Sequence, residues 1–207
     1  MLLCLQLCGY GCEDHFYEAD TEAHCWESLV ALLTDRALDG LLFDVGMPVS
    51  HCGARYNARV WCYSGAILAI RPKLVLADDG NYREPRWFTA WNPALSRAPT
   101  HTAAPAFSAA AAATASVGPG AAAVVLPSPL PATLAQFGLP AAVTAATGQA
   151  WAPMGLIAVA AADVTLASEI CEELFAPEPV HGRLYAAGVD IVSNASVRDI
   201  PLTRTIR

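Results

Sequence analysis

Positively charged residues are scarce in this sequence, and their scarcity excludes one broad class of partner. Lys and Arg together number 12 against 19 Asp and Glu, which gives a formal net charge of -7 and a pI near 5.1. Binding to nucleic acid needs Lys and Arg clustered on one surface, where they neutralise phosphates. The basic residues here are scattered along the chain. We therefore predict no nucleic-acid partner.

Long uninterrupted hydrophobic runs are also absent. The leading segment 2–7 (LLCLQL) has no basic residue before it and contains Gln6. It is too short to form the core of a signal peptide or to span a bilayer. The alanine-rich stretch further along is interrupted by Pro105, Pro119 and Pro127, which would break a spanning helix. We predict no membrane partner and a cytoplasmic location.

The cysteines form no even framework. There are seven, and an odd count without paired spacing favours reduced thiols in an intracellular compartment. Two histidines lie near three of these cysteines, but the spacing matches no paired zinc pattern. We predict no metal site, with both histidines in solvent or in the core. These five residues are Cys8, Cys12, His15, His24 and Cys25.

Large side chains are lacking from residues 99–129, which are rich in Ala, Pro, Gly and Ser. Such a segment has few groups that repay the entropy of ordering the chain. We predict a disordered surface insertion there, with a functional lid as the alternative. The whole chain has 207 residues, of which 55% are hydrophobic. Its remaining sequence is long enough to form one domain.

On either side of this insertion the pattern alternates between helix and strand. Apolar residues at helical spacing predict a helix that begins at Asp20 or Thr21 and ends at Gly40. A hairpin is predicted around Ser64-Gly65. The other predicted elements are strands at 41–46 and 188–196, buried extended chain at 154–159 and 164–166, and a helix within 131–146.

One cysteine stands where an apolar extended segment changes into a short helix. Residues 167–175 (ASEICEELF) place Cys171 at that change, and Pro177 ends the helix. A thiol at the start of a helix lies near its positive end, which favours the thiolate. The position is typical of a nucleophile, although spacing alone leaves open a buried core cysteine.

Other segments carry a resemblance to a known family. Residues 71–73 (RPK) lead into 74–88 (LVLADDGNYREPRWF), where Glu84 begins a Glu-x-Arg-x-Phe pattern. Together with the Cys171 segment, they resemble the nitrilase (carbon–nitrogen hydrolase) superfamily, and in it the glutaminase domain of eukaryotic-type glutamine-dependent NAD synthetases. The resemblance covers about positions 8 to 97 and 150 to 196. Further matching segments are 8–12 (CGYGC), 13–18 (EDHFYE), 44–49 (DVGMPV) and 55–60 (RYNARV).

The resemblance implies an α/β fold, a nitrilase-like αββα sandwich, and a triad that hydrolyses the amide of glutamine. In it Cys171 is the nucleophile, and Lys73 stabilises the oxyanion. Glu84 orients the lysine and the water. Without the resemblance, Lys73 would be a solvated lysine at a strand end and Glu84 a surface partner of a nearby arginine. We expect Tyr10, Tyr82 and Glu172 to bind the substrate, although family position also allows Tyr10 and Tyr82 to line an exit for ammonia.

The sequence departs from the family at the general base. Counting back from Tyr10, the family's base glutamate falls on Cys4. A thiol in an apolar setting is pushed towards its neutral form and replaces a carboxylate poorly. The family's first strand and helix, and its C-terminal part beyond about residue 196, have no counterpart here. We predict an incomplete domain of impaired activity.

The phosphate-binding Ser-Gly-Gly-x-Asp-Ser loop of the synthetase domain is absent from the sequence. ATP and deamido-NAD would therefore belong to a separate synthetase domain, and the glutaminase part needs no cofactor. The resemblance also implies a homo-oligomer for the full-length protein. The alternative is a non-catalytic nitrilase-fold remnant that acts, if at all, as a binding or assembly module.

Overall fold

The computed structural model describes residues 4–92, 134–161 and 163–196, together with the backbone of 121–124. Most of the predicted insertion at 99–129 and all of residues 197–207 lie outside this part. The helices are α1 (Ala19–Thr34), α2 (Ala141–Thr147) and α3 (Val180–Ala186). The strands are β1 (Leu42–His51), β2 (Ala54–Tyr63), β3 (Ala66–Pro72), β4 (Ala121–Val124), β5 (Ala135–Gly138), β6 (Trp151–Met154), β7 (Ala158–Ala161), β8 (Val164–Ile170) and β9 (Ile191–Ala195).

Helix α1 confirms the predicted helix but not its ends. It begins after Glu18, and the Thr21 hydroxyl donates to the His15 carbonyl instead of capping the helix. It ends at Thr34, before the predicted Gly40, where Asp35 turns to extended backbone. The Asp35 carboxylate then accepts from Ala37 N at 2.9 Å and starts a short 3-10 turn.

The first sheet has the strand order β1-β2-β3-β6-β5. Its β2–β3 hairpin confirms the turn predicted at Ser64-Gly65, where φ is 45° and 79°. Both central residues of such a tight turn need a positive φ. The same geometry recurs in the β1–β2 hairpin at Cys52 and Gly53, with φ of 50° and 78°.

The second sheet has the order β4-β7-β8-β9, with β8 and β9 parallel. The prediction of one extended segment over 154–159 is wrong. The chain turns at Gly155, where φ is 152°, so β6 lies in the first sheet and β7 in the second. Glycine tolerates this backbone conformation because it has no Cβ.

Residues 131–146 were predicted to hold a helix, and the structure divides this stretch between two elements. β5 pairs antiparallel with β6, and α2 begins only after Pro140. Within the predicted insertion, β4 pairs with β7, a strand that an alanine-rich composition does not predict. Tertiary pairing outweighs the local preference of these residues.

The two sheets pack face to face between helical layers. On β2, Val60 and Cys62 contact the cluster that contains α1 and α2 residues, whereas Trp61 points to the opposite face. There Trp61 joins Val159 of the second sheet. The outer face of the second sheet is covered by α3, with Val180 and others against β8. The alternation of side chains along each strand thus builds an αββα sandwich.

Candidate functional site

Lys73 follows directly after β3 and is fully buried. Its Nζ lies 2.6 Å from Oε2 of Glu84, which is also fully buried. The main chain of Lys73 is fixed at both ends, since its N–H donates to the Asn57 carbonyl and its carbonyl accepts from Trp91 N. A buried charge of this kind needs a partner with good geometry, and Glu84 supplies it. Lys73 is therefore neither solvated nor mobile.

The Glu84 carboxylate accepts hydrogen bonds from two donors besides Lys73. Oε2 also accepts from Ala77 N at 2.7 Å, and Oε1 accepts from Asn57 Nδ2 at 2.9 Å. Glu84 begins a short 3-10 turn that Pro85 continues. A carboxylate held by three donors is fixed in place, so it is suited to orienting Lys73. The surface pairing with Arg83 or Arg86, left open above, does not occur: Arg86 pairs with Asp14.

Cys171 lies at the end of β8 and begins a single 3-10 turn, Cys171–Leu174. Its φ is 48°, a left-handed backbone conformation that residues other than glycine rarely adopt. Its carbonyl accepts from Asn194 Nδ2 at 3.4 Å, a bond from the neighbouring strand β9. Strained residues of this type persist where the surroundings fix them, and they are frequent at active sites. The side chain is half-buried, unlike that of a core cysteine.

A buried carboxylate that the sequence did not single out connects the two halves of the site. Glu173 accepts from Ile170 N at 2.6 Å and from Leu74 N at 2.5 Å. Ile170 precedes Cys171, and Leu74 follows Lys73. The Glu173 side chain therefore links the chain neighbour of Cys171 to the chain neighbour of Lys73. Its position two residues after Cys171 was the available signal, but sequence alone gives no partner for it.

The charge of Glu173 is balanced by Arg71. Arg71 Nη1 lies 2.7 Å from Glu173 Oε2, and both side chains are fully buried. In the described part of the chain, Arg71 Nε and Nη2 have no hydrogen-bond partner. The pair therefore fixes the end of β3 against the turn at Cys171.

Tyr10 lies near both Glu84 and Cys171. Burial raises the pKa of Tyr10, and the nearby Glu84, Cys4, Cys171 and Tyr82 raise it further. Its ring contacts that of Tyr82 edge to face at 5.8 Å. The buried hydroxyl has no hydrogen-bond partner in the part of the chain that the structure describes. A phenol that stays protonated at neutral pH retains a proton to donate.

The structure brings together all but one of the residues predicted from the resemblance. Cys171, Lys73, Glu84, Tyr10 and Tyr82 form one connected region. Cys4, at the position of the family's base, lies beside Tyr10 and is 1% exposed. The sixth predicted residue, Glu172, is half-buried, and within the described residues its carboxylate makes no hydrogen bond.

Comparison with known proteins identifies what this arrangement is similar to. The chain is 37% identical over 192 residues to the glutamine-dependent NAD(+) synthetase of Drosophila melanogaster, covering 93% of the chain and 20% of that protein. It is 40% identical over 192 residues to the protein of the same name from Macaca fascicularis, covering 93% and 22%. This chain is a homologue of part of these synthetases. It spans about a fifth of their length.

A solved structure of a synthetase of this kind carries the same fold. The glutamine-dependent NAD(+) synthetase from Cytophaga hutchinsonii superposes with a TM-score of 0.60 at 21% identity, covering 94% of this chain and 24% of that one. The predicted nitrilase-like fold is thereby confirmed. No protein-family model matches the chain.

The described residues also bear on two other kinds of site. Among these residues no group of three or more His, Cys, Asp or Glu is arranged to hold a metal ion. The helices within the same ranges include none long and apolar enough to cross a membrane.

Proposed function

We propose that this chain is a glutamine amidohydrolase segment of the kind found in glutamine-dependent NAD(+) synthetases. The observation that carries the proposal is the bridge by Glu173, whose carboxylate binds the neighbours of both Cys171 and Lys73. It places a strained cysteine and a buried lysine in one rigid unit. Homology to part of the synthetases supports glutamine as the substrate.

In this proposal the Cys171 sulfur attacks the side-chain amide carbon of glutamine. The amide oxygen becomes an oxyanion that Lys73 stabilises, held in place by Glu84. The C–N bond then breaks, the nitrogen takes up a proton, and ammonia leaves a thioester on Cys171. Water hydrolyses the thioester to glutamate and restores the thiol. The Tyr10 hydroxyl, Tyr82 and Glu172 bind the glutamine.

The weak step is proton transfer, because Cys4 stands at the position of the base. We expect little turnover from the chain as it is, since loss of one member of a cooperating catalytic unit removes orders of magnitude of rate. The buried position of Cys4 beside Tyr10 makes Cys4→Glu the direct repair. We expect this variant to release ammonia from glutamine.

The test combines this repair with removal of the nucleophile. In the Cys4→Glu background, Cys171→Ala should lower glutamine-dependent ammonia release by at least about 10³-fold. Cys52→Ala, at an exposed cysteine of the β1–β2 turn, is the matched control and should retain the activity. A coupled ammonia assay measures both, and unchanged release in the Cys171→Ala variant would sink the assignment.

The second candidate is a non-catalytic nitrilase-fold module, and the specific observation in its favour is Cys4. This candidate function predicts that the Cys4→Glu variant folds but releases no ammonia. A module of this kind would act by packing against nitrilase-fold partners in a homo-oligomer. In both proposals the protein is cytoplasmic, and ATP and deamido-NAD bind to a different part of the synthetase.

A further inference from the structure

Asn194 in β9 lies beside the backbone of Cys171 and divides its amide between two acceptors. Its Nδ2 donates to the Cys171 carbonyl at 3.4 Å and to Oε1 of Glu169 at 3.1 Å. An amide NH₂ has two hydrogens, so these two bonds use both. The amide oxygen of Asn194 accepts from the Ser196 hydroxyl. The donor that faces Cys171 is therefore held in its orientation by two further side chains.

Glu169 connects this amide to α3. It lies in β8 at 2% exposure, and its Oε2 accepts from the main-chain N–H of His181 at 3.1 Å. The ring nitrogen Nδ1 of His181 lies 3.0 Å from the same oxygen. A buried carboxylate needs hydrogen-bond partners of this kind. Hydrogen bonds thus run without interruption from α3 through Glu169 and Asn194 to Cys171.

The backbone of Cys171 needs to be held on both sides. Its φ of 48° is a conformation that a residue with a Cβ keeps only where the surrounding structure fixes it. Glu173 holds the preceding peptide, because its carboxylate accepts from Ile170 N. Asn194 holds the following peptide, because it donates to the carbonyl of Cys171 itself. The direction of the Cα–Cβ bond, and with it the position of the thiol, depends on both bonds.

We propose that Asn194 is a positioning residue for the Cys171 thiol, and that Glu169 and His181 keep its amide in the required orientation. Asn194 acts through the backbone of Cys171, whose carbonyl it holds while the thiol reacts. The effect on glutamine hydrolysis rests on the function proposed above. The conformation of Cys171 does not, and it can be measured without any turnover.

Exchanging donor and acceptor between Glu169 and Asn194 isolates the bond to Cys171. In the double variant E169Q/N194D, the amide at position 169 donates to the carboxylate at position 194, so the two side chains remain bonded to each other. The oxygen of that amide still accepts from His181. Only the donor towards Cys171 is lost, because a carboxylate has acceptors alone and now faces the Cys171 carbonyl oxygen.

A crystal structure of the full-length double variant measures the first effect. We expect φ of Cys171 to leave the left-handed region and its carbonyl to turn away from position 194. Asn194→Ala removes the amide without adding a charge and should give the same change. The matched control is Ser193→Ala, whose hydroxyl bonds to the Ala167 carbonyl between the same two strands, and it should leave Cys171 as it is. An unchanged φ in the double variant and in Asn194→Ala would overturn the proposal.

Kinetics measure the consequence for the reaction. In the Cys4→Glu background, E169Q/N194D should lower kcat for ammonia release by about 10²-fold, the cost of a misplaced reacting group, while KM stays the same. Ser193→Ala should retain both constants. A rise in KM with unchanged kcat would contradict a positioning role. No ammonia release from the Cys4→Glu background itself would count against the proposed function, and the conformation of Cys171 decides the role of Asn194 in either case.

Discussion

At the residue scale, the candidate site contains charges that are buried in pairs. Lys73 with Glu84 and Arg71 with Glu173 have no exposed side-chain surface. Buried pairs contribute little net stability against a well-packed apolar core, but removing one partner is costly. They are retained here in the candidate site, where they fix the ends of β3 and β8.

Replacing Glu173 tests how much this fixation contributes. Each atom that faces its carboxylate is a donor, namely Arg71 Nη1, Leu74 N and Ile170 N. In Glu173→Gln the amide NH₂ finds no acceptor, and Arg71 is left buried without its counter-charge. We expect a loss of about 3–5 kcal/mol in the free energy of unfolding, measured by urea denaturation.

The adjacent glutamate provides the control for this change. Glu172→Gln is the same substitution one position earlier, at a carboxylate that is half-buried and makes no hydrogen bond within the described residues. We expect a change within about 0.5 kcal/mol. Equal losses in the two variants would contradict the role assigned to Glu173.

At the element scale, tight turns with positive φ set the register of the first sheet. Both hairpins, β1–β2 and β2–β3, place a residue and a glycine in the left-handed region. In the second hairpin the turn also approaches α1: a Cβ on Gly65 would lie 3.1 Å from the Leu33 carbonyl oxygen. At Gly53 a Cβ would meet nothing within 4 Å.

These two glycines allow backbone strain to be separated from close packing. Gly53→Ala should cost about 1–2 kcal/mol of unfolding free energy, the cost of a left-handed conformation for a side chain. Gly65→Ala carries the same backbone cost plus the contact with Leu33, so we expect a larger loss. Chemical denaturation of both variants measures the difference. An equal cost at the two positions would show that the approach of α1 does not constrain the turn.

At the scale of the whole molecule, the contact between the two sheets holds the sandwich together. Ile157 lies between β6 and β7 and packs with Leu68 of the first sheet and Val159 of the second, at 1% exposure. The indole N–H of Trp61 donates across the same interface to the Ser168 hydroxyl at 3.3 Å. The chain crosses from one sheet to the other immediately before Ile157.

Truncating Ile157 therefore tests the sandwich itself. Ile157→Ala leaves a cavity between two sheets that cannot both relax, and we expect a loss of about 2–5 kcal/mol of unfolding free energy. Ile191→Ala is the matched control, because Ile191 is 51% exposed on β9, and it should change stability by less than about 1 kcal/mol. Thermal and urea unfolding measure both. A small effect at Ile157 would contradict the packing of the sheets.

The sequence by itself determined the elements and residues that local chemistry dictates. The Ser64-Gly65 hairpin, the helix from about residue 20 and the strand before Cys171 follow from periodicity and turn residues. The homology to part of the synthetases was also visible in short motifs. The structure places Lys73 and Glu84 in one buried pair and Cys171 near Tyr10, and the roles of these residues stay a prediction.

The tertiary structure alone decided what depends on contacts between distant segments. The turn at Gly155 that sends β6 and β7 to different sheets, and the pairing of the alanine-rich β4 with β7, have no local signal. The same holds for Glu173, whose donors come from residues about a hundred positions away as well as from its own turn. Local propensity cannot encode such partners, because a buried charge is stable only where the fold supplies its donors.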